Sequence, residues 1–113
     1  MNHLKSNFAG TFYPANPQQL TTQINQYLST PPKTLNTPLA ILVPHAGTIY
    51  SGATAGYAYK QIENTPYERV IILGPSHQIH HTSLAIPMAD GVTTPLGAID
   101  FDGDLIDQLC QSD

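Results

Sequence analysis

Two short, unbroken apolar runs stand out from the hydrophobic and polar pattern of this chain: Leu39-Ala40-Ile41-Leu42-Val43 and Val70-Ile71-Ile72-Leu73. Each is rich in Ile, Val and Leu and is closed by Pro44 or by Gly74-Pro75. Such runs are the signature of strands buried on both faces, and the pattern predicts strands at residues 39–43 and 69–73. Between them, residues 53–62 have helical character, with Tyr57 on the packing face, and Pro66 breaks the chain before the second run. Strand, helix, strand is the order of a parallel crossover. The expected fold class is α/β with a parallel βαβ core, its two strands paired in parallel and the helix packed on one face.

Elsewhere the period changes. Residues 6–16 form an aromatic-rich loop without periodicity. Asn16-Pro17 then reads as a helix start, with Asn as N-cap and Pro at the first helical position. Leu20, Ile24, Tyr27 and Leu28 follow at i, i+4, i+7 and i+8, an amphipathic stripe, and Pro31-Pro32 ends the helix. The loop from 44 to 52 carries Gly47 and Gly52, which read as turn residues, with close backbone approach to a ligand as the functional alternative. After the second run, residues 83–86 are a strand candidate and residues 91–99 are turn-rich. Asp102 looks like a further N-cap, ahead of an apolar stripe of Leu105, Ile106, Leu109 and Cys110.

Composition narrows the function classes. Only 11% of the 113 residues are charged, against the usual ~25%, and four Lys or Arg in a chain of net charge −4 leave no basic patch for nucleic acid. Cys110 is the single cysteine, so no intrachain disulfide can form. No run approaches the ~20 apolar residues of a membrane span, and the first residues lack the apolar stretch of a signal peptide. A cytoplasmic protein is expected. Two parallel strands with flanking helices would leave sheet edges and apolar faces uncovered. Residues 1–113 are therefore expected to be the N-terminal part of a larger domain whose C-terminal part is missing.

The candidate chemistry sits at the ends of the two runs. His45 follows the first and His77 the second. Parallel strands open onto the same sheet edge, where ligands of α/β proteins gather, and neighbouring strands lie only ~4.8 Å apart. His45 and His77 are thus predicted to converge, with ring nitrogens within about 5 Å, as two ligands of one metal at ~2.0–2.2 Å require. Tyr13 and Tyr50 either line the pocket as substrate-binding residues or are core aromatics. His80 and His81 resemble a histidine-rich tract but fall in a loop beyond the His77 motif. Cys110, on an apolar stripe, reads as a small hydrophobe.

Four segments occur in order: Ala9-Gly10-Thr11-Phe12-Tyr13-Pro14, Val43-Pro44-His45-Ala46-Gly47-Thr48-Ile49-Tyr50-Ser51-Gly52, Leu73-Gly74-Pro75-Ser76-His77 and Thr94-Pro95-Leu96-Gly97. Together they resemble the N-terminal part of the MEMO family, whose bacterial and archaeal members are called AmmeMemoRadiSam system protein B. That family is similar in fold to the class III extradiol dioxygenases. The resemblance implies an extradiol-dioxygenase-like α/β domain in which His45 and His77 match two metal-site histidines, the remaining ligands lying in the C-terminal part. It implies iron (Fe2+) as cofactor, with copper a second metal for imidazole-rich sites, and an iron-dependent, dioxygenase-like oxidoreductase if the protein is an enzyme. The alternative implied is a non-catalytic metal-binding partner or scaffold acting with radical-SAM and AMMECR-type proteins. Thr48 departs from the pattern, standing where the family usually carries an aromatic residue.

Overall fold

A computed structural model describes residues 1–111 of the chain. The elements run β1 (His3–Lys5), α1 (Pro17–Ser29), α2 (Thr48–Ile62), β2 (Gly91–Thr94), β3 (Gly97–Asp100) and α3 (Gly103–Gln111). The strands form one sheet in the order β1-β2-β3, with β1 parallel to β2 and β2 antiparallel to β3. Because α1 and α2 intervene between the parallel neighbours, the chain makes the long crossover that parallel pairing demands. The fold class is mixed α/β, as expected. Among the described residues no helix is long and apolar enough to cross a membrane.

The parallel pair is not the one predicted. Residues 39–43 and 69–73 belong to no strand, and no backbone ladder bond joins them. Leu39, Leu42, Ile72 and Leu73 are 80–102% exposed. Apolar runs of this kind settle into a ladder when layers cover both faces. Here α1 and α2 pack on each other and the strands on one another, so neither run gains a covering layer. The runs are nevertheless tied at both ends in the same sense. Tyr67 donates its hydroxyl to the Pro38 carbonyl at 2.7 Å where the runs begin, and His45 meets His77 where they finish.

α1 forms as its cap predicts. The Asn16 side chain accepts from the Gln19 amide at 3.0 Å, and Pro17 occupies the first turn. Leu20, 6% exposed, is the buried hydrophobic residue of the described chain. α2 begins at Thr48, well before the predicted start at 53. The reason lies in the glycines. Gly47 is the N-cap, and a Cβ at Gly52 would lie 2.4 Å from Tyr27 Cε2, while one at Gly56 would lie 2.6 Å from the Tyr27 carbonyl oxygen. Gly52 thus serves close helix packing rather than a turn. Tyr57, expected on the packing face, is 55% exposed; Ser51, Gly56 and Gln61 are the buried positions. Gln61 is fully engaged. Its side-chain oxygen accepts from the Thr34 and Leu35 amides, and its nitrogen donates to the Pro32 and Tyr57 carbonyls.

Residues 83–86 form no strand. The turn-rich segment is instead the β2–β3 hairpin, closed by Pro95-Leu96. Thr94 Oγ1 donates to the Gly97 carbonyl at 2.9 Å, and Gly97 takes a φ of +126°. Asp102 caps α3, accepting from the Leu105 amide at 2.9 Å. Cys110, read as a small hydrophobe on the apolar stripe, is exposed on α3.

Candidate functional site

The site is built where the two apolar runs end. His45 lies two residues ahead of the Gly47 N-cap of α2, so the helix start sets its backbone. That start is pinned from three sides. The Thr48 amide donates to the Phe12 carbonyl at 2.7 Å, and Thr48 Oγ1 donates to Gln23 Oε1 of α1 at 2.6 Å. Ser51, 9% exposed, donates its hydroxyl to the Ala46 carbonyl at 3.0 Å. The segment holding Phe12 is stiffened by the stacked rings of Phe8 and Phe12, 4.6 Å apart.

His77 belongs to the loop after the second run. Ser76 Oγ donates to the Ile79 carbonyl at 2.6 Å and accepts from the Ile79 amide at 3.3 Å, closing a short turn around His77. Such hydroxyl-closed turns are a habit of serine. The loop borders an open cleft whose lining includes Leu73, Ser76, His77, His80, His81 and Leu84.

The structure brings His45 and His77 together. Their Nε2 atoms lie 3.2 Å apart, with ring centroids at 5.2 Å and planes inclined by 55°. Both side chains belong to exposed residues. At this separation either one ring donates to the other, or two lone pairs converge on one cation. The donor set, two imidazoles, suits a first-row divalent metal.

The other candidates lie apart. Tyr50 is 82% exposed on the first turn of α2. Tyr13 is half-buried, and its carbonyl accepts from the Gly10 amide at 2.7 Å. No hydrogen bond or ring contact joins either tyrosine to the imidazoles. His80 and His81 are exposed, and among the described residues no group of three His, Cys, Asp or Glu side chains could hold a metal. Sequence reasoning missed the hydrogen-bonding roles of Ser51, Ser76 and Thr48. A serine directly before a histidine at a strand end, and a serine one turn into a helix that follows one, are the signals that could have found two of them.

Comparison with known proteins fits this geometry into a family. A family model described as Memo-like protein matches residues 5–113. The chain is 41% identical over 101 residues to a MEMO1 family protein of Aquifex aeolicus (strain VF5), covering 89% of this chain and 37% of that protein. It is 39% identical over 101 residues to Protein memo-1 homolog of Caenorhabditis elegans, covering 89% and 29%. With human Protein MEMO1 it shares 35% identity over 105 residues, covering 93% and 35%. The chain thus spans about a third of the length of the relatives it matches. With residues 5–113 inside the family model, the chain belongs to the Memo-like protein family.

Proposed function

We propose that His45 and His77 are two ligands of a single first-row metal, iron as Fe2+ foremost and copper second, in a protein of oxidoreductase type. The observation that carries this reading is the 3.2 Å between the two Nε2 atoms. Nitrogens bound at ~2.1 Å lie ~3.0 Å apart at an octahedral right angle and ~3.4 Å apart at the tetrahedral angle, and the pair falls between these limits. That separation supports reading the pair as two ligands of one such metal. Bound there, it would supply open coordination positions for a substrate and O2. The chain's own contribution is to hold two imidazoles at a solvent-accessible edge, one from a helix start and one from a closed turn.

A second reading is metal binding without turnover, in a partner or scaffold role. In that case the partners to test are the radical-SAM and AMMECR-type proteins that the resemblance implies.

Anaerobic calorimetric titration of Fe2+ into the 113-residue chain tests the site. Two imidazoles are fewer than the three or four protein donors of a stable site, so weak one-to-one binding is expected. His45→Ala and His77→Ala should each lower the affinity at least ~10–100-fold, the loss that even outer partners of a metal site produce, while His80→Ala leaves it unchanged. Equal affinity in the parent and His45→Ala would remove the pair as ligands. Oxygen uptake with a panel of catechols, absent under the second reading, separates the two.

A further inference from the structure

We propose that Ser51 and Ser76 are the positioning residues of the His45–His77 pair. Each fixes the backbone beside one imidazole and so holds the two Nε2 atoms near each other. The geometry of this holding stands on its own; its consequence for a metal rests on the reading above.

The two serines act in different ways. Ser51 reaches back from the first turn of α2 and donates to the carbonyl of Ala46, the residue after His45, at 3.0 Å. It is 9% exposed, so little water competes for that bond. Its own amide donates to the Gly47 carbonyl at 3.2 Å, and the two bonds together clamp residues 46 and 47 onto the helix. Ser76 works inside the loop. With its hydroxyl both donating to and accepting from Ile79, it closes a ring that encloses His77 and fixes the direction in which that residue leaves the backbone. Neither run is in a ladder, so nothing in a sheet sets the register of the two histidines. These hydroxyls supply what a ladder otherwise would. A local hydroxyl bond of this kind selects one turn conformation among several, and a ligand pair loses affinity when its supporting partners are removed.

The prediction has a structural and a functional arm, both on the full 113-residue chain. In the metal-free protein, a through-space NMR cross-peak between the ring Hε1 protons of His45 and His77 is expected. It should vanish in Ser76→Ala, weaken in Ser51→Ala and persist in Ser76→Thr, which keeps the hydroxyl. Because Ser76 is exposed, Ser76→Ala should leave the melting midpoint unchanged, which a merely structural role would not. Fe2+ affinity should fall ~10-fold in Ser76→Ala and return in Ser76→Thr. A cross-peak that survives in Ser76→Ala, is missing from the parent, or is lost equally in Ser76→Thr overturns the proposal. If the parent binds no Fe2+ while the cross-peak still follows the hydroxyl, the positioning role is supported and the metal reading falls. Should Ser51→Ala fail to fold, the Ser76 pair alone decides the matter.

Discussion

The paired helices and the two apolar runs use the same kinds of side chain to opposite ends. In the α1–α2 pair, Leu20 is 6% exposed, and Tyr27 closes over Gly52 and Gly56. In the runs, Leu42 is 97% and Ile72 88% exposed, although their composition is more apolar than that of either helix. Apolar content, then, does not decide burial; a matching surface does. The helices α1 and α2 supply each other's surface where Tyr27 meets Gly52 and Gly56. The runs need layers on both sides, and this chain has counterparts for only about a third of its relatives. The histidines belong to the second region. They are placed by the hydrogen bonds around them rather than by a sheet.

The largest effect tests that contrast by one chemistry in two places. Leu20→Ala should destabilise the chain by ~2–5 kcal/mol, the usual loss for a buried leucine. Leu42→Ala and Ile72→Ala, which remove already solvated side chains, should stay within ~0.5 kcal/mol. Urea denaturation of the three variants gives the comparison. A cost above ~2 kcal/mol for Ile72→Ala would mean that the runs are covered in solution, and the contrast would collapse.

A smaller effect sharpens the helix side. An added Cβ at Gly56 meets the backbone oxygen of Tyr27 at 2.6 Å, whereas one at Gly52 meets only its ring. Alanine gains ~1 kcal/mol over glycine in a helix, against ~1–3 kcal/mol for overpacking. A ring can swing aside and a carbonyl cannot. Gly56→Ala is therefore expected to lose ~1 kcal/mol while Gly52→Ala is close to neutral, read as thermal melts. Equal effects at both positions would show that the helix seam is looser than its spacing suggests.

Legibility in the sequence followed the range of the signals. Asn16-Pro17 and Asp102 announced their helices because a cap and the amide it satisfies lie within three residues of each other. The two histidines were legible as a pair because each follows an apolar run of the same type, and that placement survived even though the ladder beneath it did not form. β1 was invisible: His3-Leu4-Lys5 carries no period, and its partners, Gly91 to Thr93, lie far along the chain. The β2–β3 hairpin was hidden by Pro95-Leu96, which lacks the Asn-Gly or Asp-Gly of a two-residue turn. Gly52 was read as a turn because its obstacle, the Tyr27 ring, belongs to another helix. The serines beside the histidines were overlooked because the hydrophobic pattern that found the site says nothing of how it is held.

The smallest expected effect concerns the ion pair that ties the second run to the scaffold. Arg69, at the start of the second run, donates through Nε to Asp102 Oδ2 at 2.5 Å, while Asp102 Oδ1 accepts from the Leu105 amide. That amide first, and the Arg69 guanidinium second, hold the Asp102 carboxyl below its ordinary value. A carboxyl lowered in the folded state favours folding while it is ionised. The contribution is present above the unfolded-state value of ~3.9 and is lost as pH falls through the lower folded value. Circular dichroism from about pH 5 downward should show the α3 signal declining below about pH 4. Asp102→Asn, which can still cap the helix but carries no charge, should flatten that decline. A profile identical in the parent and Asp102→Asn would show that the ionised carboxylate does not stabilise α3. The second run would then lose its ion-pair link to the scaffold, leaving the Tyr67 bond to Pro38 and the histidine contact to hold it.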